Sequence, residues 1–99
     1  MKRKRVYISG PITHTSGYRK RFRDAAREIF NRGDVPVNPA LLEDVLPDGS
    51  HVEYMLIDIK LLELCDAIYM LDGWSQSAGA RTEYAHAKMM HMIIEGADK

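Results

Sequence analysis

Apolar positions along this chain change period repeatedly, and each change marks an element. Arg5–Ser9 (RVYIS) is a β-branched and aromatic run stopped by Gly10-Pro11, which predicts a first strand. After a polar loop over Ile12–Gly17, Phe22, Ala25, Ala26, Ile29 and Phe30 recur at helical spacing. Thr15 or Ser16 is placed to cap that helix, which runs to about Arg32 and stops at Gly33. Asp34–Asn38 (DVPVN) predicts a second strand. Pro36 cannot donate a ladder hydrogen bond and puts that strand at a sheet edge. Pro39 to Gly49 is a loop with room for a helical turn at Ala40–Val45. Ser50-His51-Val52-Glu53 matches a capping box and opens a helix to about Leu64, with Val52, Met55, Leu56, Ile59 and Leu62 as its expected buried stripe. Asp66–Leu71 (DAIYML) has the nearly continuous apolar character of a central parallel strand. A helix from about Gly79 to His91 and a short last strand, Met92–Glu95, complete the pattern.

Strands alternating with helices predict an α/β fold: a small doubly wound parallel sheet, Rossmann-like, with helices on both faces. Right-handed crossovers and an edge position for the second strand give the order 2-1-3-4. In that order the chain reverses direction between strands one and three, and ligands bind at the carboxyl ends of the strands flanking such a point. Those ends are Ser9-Gly10-Pro11 and Asp72-Gly73-Trp74. The two turns therefore converge on one crevice, beside the small-residue loop Ser75 to Gly79 that opens the last helix.

Composition narrows the classes of function. The chain has 99 residues, 45% hydrophobic and 28% charged, enough for one domain (residues 1–99). Its net charge of zero does not announce a nucleic-acid partner. No apolar run approaches the ~20 residues of a membrane span, and no signal-peptide pattern precedes the fold. A single cysteine, Cys65, fits a reducing compartment, so a cytoplasmic location is expected. His14, His51, His86 and His91 lack partners at ligand spacing; neither a metal nor a cofactor is expected. So small an α/β sheet buries a limited core, which favours a homo-oligomer, and Met89, Met90 and Met92 would suit its interface if exposed.

Several residues carry candidate chemistry. Glu83 lies about a turn into the last helix, where it is either a nucleophile or a complement to the helix dipole. Asp58, between Ile57 and Ile59, faces either solvent or a site; Tyr54, four residues before it, shares its face. Arg19 is the cation nearest the start of the first helix and the one placed to reach an anion there. Trp74, in the loop after the third strand, suits stacking on a base or a subunit contact.

YISGPI (Tyr7–Ile12) and LDGWSQSAGARTE followed by YAHA together resemble the first-strand and nucleophile segments of the nucleoside 2-deoxyribosyltransferase superfamily. The intervening VPVNPA and YMLIDIKLLELCDAIYML resemble a small phage and bacterial branch of it, so the resemblance covers nearly the whole chain. It implies a nucleophilic Glu83 attacking the anomeric carbon of a sugar, Tyr7 orienting it, and Asp58 as the acid near the nucleobase. With Ser77 and Gly79 from the resemblance, and Ser9, Gly10, Pro11, Asp72, Gly73, Trp74 and Arg19 from their places at the crevice, these residues are expected to surround the substrate. Transferases acting on free nucleosides carry an aspartate six positions before the glutamate. The related nucleoside 5′-monophosphate N-glycosidases carry a serine there and a glycine four before, as Ser77 and Gly79 do here. A serine hydroxyl and a glycine amide at a helix start can donate to a phosphate. The expected function is therefore hydrolysis of the N-glycosidic bond of a nucleoside 5′-monophosphate. The alternatives are a non-catalytic nucleotide-binding protein and a nucleoside deoxyribosyltransferase.

Overall fold

The computed structural model describes residues 2–97. Its strands are β1 (Arg5–Ser9), β2 (Val35–Val37), β3 (Ala67–Met70) and β4 (Ile93–Gly96), and its helices α1 (Tyr18–Asn31), α2 (Leu42–Val45), α3 (His51–Glu63) and α4 (Ala78–Met89). Short 3-10 turns at Pro39–Leu41 and Trp74–Gln76 precede α2 and α4. All three strand pairings are parallel, in the order β2-β1-β3-β4. This is the expected doubly wound α/β sheet with helices on both faces, and Pro36 stands in the edge strand. The amide of Val35 bonds inward to the Lys4 carbonyl, so the alternate position, Pro36, turns toward the open edge.

Strand alternation divides the core. Val6, Ile8 and Ala67 pack with Phe22, Ala25 and Ile29 of α1 on one face. Tyr7, Ile68 and Met70 pack with Leu62 of α3 and Ala80 and Ala87 of α4 on the other. Tyr7 and Ser9 are two residues apart on one strand, so both project to the α3–α4 side. At the carboxyl end of β1 the backbone must pass close to β3. A Cβ on Gly10 would lie 2.8 Å from Leu71 Cβ, and Gly73 takes φ +83°.

Three local expectations are corrected. Neither Thr15 nor Ser16 caps α1; the residue before it is Gly17 in a left-handed conformation with no side-chain cap, and the Thr15 hydroxyl turns back to the Thr13 carbonyl. The capping box at Ser50 and Glu53 forms as expected, but the buried face of α3 is not the expected stripe. Val52 and Leu56 are 65% and 66% exposed, while Asp58 and Leu62 are buried. The inward stripe is Met55, Asp58, Ile59 and Leu62, a helical spacing with a carboxylate in it. Phe30, expected in the buried face of α1, is 63% exposed: it stands one residue, about 100° around the helix, from the fully buried Ile29. No helix among the described residues is long and apolar enough to cross a membrane.

Candidate active site

A cavity of about 390 Å³ opens at the carboxyl ends of the strands. Its floor is Ile8 and Gly10 of β1 and its following turn; α3 contributes Tyr54, Met55 and Asp58, and α4 contributes Gly79, Ala80 and Glu83. Ser77 places α4. Its hydroxyl accepts from the Ala80 amide at 3.2 Å, closing the first turn as an N-cap. Ala80, Glu83 and Ala87 then recur on the buried side of the helix. Glu83 arrives with 6% exposure at the ends of two β1 side chains.

Those side chains hold it firmly. The Tyr7 hydroxyl donates to Glu83 Oε2 at 2.7 Å and the Ser9 hydroxyl to Oε1 at 2.6 Å. Burial holds the Glu83 pKa above its ordinary value, and the hydrogen bonds from Ser9 and Tyr7 oppose that rise without cancelling it. Burial, and then the Glu83 charge, push the Tyr7 phenol well above its ordinary range, so it stays a donor. Asp58 is differently placed. It is 9% exposed, and its Oδ1 has no hydrogen-bond partner. Burial first, then the charge of Glu83, push its pKa up to about 7. The cavity thus carries one carboxylate with both oxygens satisfied and one carboxyl poised to hold a proton near neutrality.

The other expected site residues separate into groups. Gly10, Ser77 and Gly79 line the cavity with Glu83 and Asp58. A Cβ on Gly79 would meet Met55 Sδ at an ordinary 3.6 Å, so its missing side chain leaves open space rather than relieving a clash. Ser9 and Tyr7 lie behind Glu83 and do not line the cavity. Pro11 and Gly73 lie against each other at the convergence of the two turns, 3.6 Å from Pro11 Cγ to where a Gly73 Cβ would stand. The Asp72 carbonyl accepts from the Arg21 guanidinium at 3.1 Å. Neither Asp72 nor Gly73 lines the cavity.

Two expectations fail on packing. Trp74 is buried in the core, with its ring 4.5 Å from that of Tyr84, so it is not free to stack on a base. Arg19 is bound by Glu43 at 3.4 Å and Asp44 at 3.2 Å and does not line the cavity. Arg81 is exposed and donates to the Ser75 carbonyl at 2.8 Å, outside the cavity. Sequence reasoning missed the outer wall, where Tyr18, Leu42, Glu43, Gly49, His51 and Tyr54 line the cavity. The Tyr54 hydroxyl pins that wall, donating to the Leu46 carbonyl at 2.7 Å and accepting from the Gly49 amide at 3.0 Å. The one signal available was the spacing of Tyr54 and Asp58 on a shared helix face.

Among the described residues, no group of three or more His, Cys, Asp or Glu side chains is placed to hold a metal ion. The fold matches that of a solved structure titled "2-desoxiribosyltransferase from Leishmania mexicana", with a TM-score of 0.72, 19% identity, and coverage of 94% of this chain and 63% of that one. This chain therefore spans less than two thirds of that relative's length. At that identity the likeness concerns the fold, which is the one that the sequence motifs implied. A comparison with curated proteins finds no match. The family model described as "Domain of unknown function (DUF4406)" matches residues 4–95, and the chain belongs to that family.

Proposed function

We propose that this chain breaks the N-glycosidic bond of a nucleoside and passes the sugar to a second base. The observation that carries the reading is the pair of buried carboxyl groups on one cavity in opposite hydrogen-bonding states. Glu83, ionised and held by two hydroxyls, is built to attack the anomeric carbon. Asp58, protonated up to about pH 7, is built to give its proton to the departing base. The bond forming is Glu83 oxygen to carbon. The bond breaking is carbon to base nitrogen, and the base leaves with that electron pair and the Asp58 proton. An incoming base then gives its proton to Asp58 and displaces Glu83, so two displacements retain the configuration.

Transfer, as the outcome, is supported by the fold shared with a solved deoxyribosyltransferase. A substrate uncharged at its 5′ end is supported by the lining. The charged side chains there are Glu43, Asp58 and Glu83, and no Lys or Arg lines the cavity among the described residues. A dianionic phosphate would meet the Glu43 and Glu83 carboxylates, with Arg19 already committed to Glu43 and to Asp44 outside the lining.

Hydrolysis of a nucleoside 5′-monophosphate is the second reading. It is favoured by Ser77 and Gly79 in the lining at the start of α4, where the Ala78 and Gly79 amides precede the helix's own ladder. Chromatography of a panel of nucleosides and 5′-monophosphates, with and without a second free base, separates the readings. Base exchange on nucleosides supports transfer; base release from monophosphates supports hydrolysis. Glu83→Gln is expected to abolish either, by at least about 1000-fold. Saturable nucleotide binding without turnover in the wild type would leave the chain a binding protein.

A further inference from the structure

Glu83 is gripped by two hydroxyls from one strand, and only one of them was expected to act on it. Ser9 was expected to touch substrate, yet it is 1% exposed and stands behind the carboxylate, outside the cavity lining. Its 2.6 Å contact with Oε1, and the 2.7 Å contact of Tyr7 with Oε2, have the lengths of hydroxyls donating to a charged carboxylate. The other acid on the cavity has the opposite inventory. Asp58 Oδ1 is buried without a partner, a placement that disfavours charge on that group.

We infer that Ser9 is a positioning residue whose hydroxyl, together with that of Tyr7, fixes the negative charge on Glu83 and leaves the proton of the site to Asp58; this rests on the reading of Glu83 as nucleophile. The physical reason is that two buried acids on one cavity cannot both ionise cheaply. Which one ionises is decided by donors, and β1 supplies both of them to Glu83. No Lys or Arg among the described residues lines the cavity to settle it otherwise. The ionisable groups around the pair are Tyr7 on β1, Tyr18 on α1, Tyr54 on α3, Glu43 and His51 on the outer wall, and the Cys65 thiol beyond Tyr7. The alternation of β1 makes the arrangement economical, since residues two apart reach the two oxygens of one carboxylate. When Glu83 forms its bond to carbon it becomes an ester. Its carbonyl oxygen keeps one of the two hydroxyl donors, so the side chain remains oriented for the second displacement.

The test reads the charge directly and the chemistry separately. Side-chain carboxyl carbons are titrated by NMR in the wild type, Ser9→Ala and Ser9→Thr, with Glu83→Gln and Asp58→Asn assigning the steps. In the wild type the lower of the two steps is expected to belong to Glu83. In Ser9→Ala that step rises by about one pH unit. The acid limb of the kcat/KM profile moves with it, kcat below the shifted limb falls about tenfold, and KM changes little. Ser9→Thr, which restores a hydroxyl, recovers both. A Glu83 step that stays in place in a folded Ser9→Ala, or a lower step that belongs to Asp58, overturns the assignment. Should Ser9→Ala fail to fold on thermal melting, Ser9→Cys gives the same reading with a weak donor of similar size. The titration needs no substrate. A wild type with the expected steps that turns over neither nucleosides nor monophosphates overturns the nucleophile reading, and the positioning role with it.

Discussion

Asp58 sits between two isoleucines, and a hydropathy pattern has no means of telling whether such an acid is a solvated interruption or a buried tool. Its burial has a thermodynamic signature. The folded pKa of about 7 lies above the ordinary 3.8, so the folded chain holds a proton that the unfolded chain has released across that interval. Stability therefore declines as pH rises from about 4 to about 7, and the cost from this group is complete above it. Thermal melting should show a lower Tm at about pH 8 than at about pH 5. Asp58→Asn should remove most of that slope and raise the Tm at the higher pH. An unchanged slope in the variant would place the pH dependence elsewhere. Glu83 was legible as a candidate from its place near a helix start. That it is doubly hydrogen-bonded was not, because Tyr7 and Ser9 are 76 and 74 residues away in sequence.

At the scale of elements, legibility followed from how local the cause was. The capping box at Ser50, the Gly33 stop and the edge position of β2 each depend on a few neighbouring residues, and each is found. The face of α3 depends on what the helix meets. Val52 and Leu56 fit an apolar stripe as well as Asp58 does not, but the sheet and α4 meet the other side. Trp74 misled for the same reason: its loop position was visible, but the ring of Tyr84 waiting beneath it was not. Ser77 carries a prediction at this scale. Its hydroxyl caps α4, so Ser77→Ala should destabilise the fold by about 1 kcal/mol in denaturant titration. Ser77→Asp should retain the cap, because an aspartate oxygen accepts from the same amide. Equal loss in both variants would mean that the cap is not what this residue supplies.

The whole molecule is a four-stranded sheet with unequal cover. On one face α1 packs mainly over β1 and β2; on the other, α3 and α4 enclose Tyr7, Ile68 and Met70. The order of strands followed from alternation, crossover handedness and one proline, which is why the convergence of the Gly10 and Gly73 turns was legible before the side chains were. The outer wall of the cavity was not, since residues 39–50 hold their path through Tyr54 and the Arg19 cluster rather than through any periodic pattern. Met89 is 68% exposed and Ile93 50% exposed, which leaves the expected association of copies of this chain to be tested. Sedimentation across a concentration range is expected to show a species larger than one chain, shifted toward the monomer by Met89→Lys. A single monomeric species at all concentrations would remove that expectation.

Pro36 bears on how such association ends. An open sheet normally has two sticky margins, and chains that join margin to margin can go on joining into a filament. Here the middle of β2 turns a ring, not an amide, to its outer margin. The other margin of the described sheet is β4, which carries no proline. Copies that joined through that margin would use it up in both chains, so the association would stop at a pair: a single imino acid would turn a potential polymer into a closed count of two.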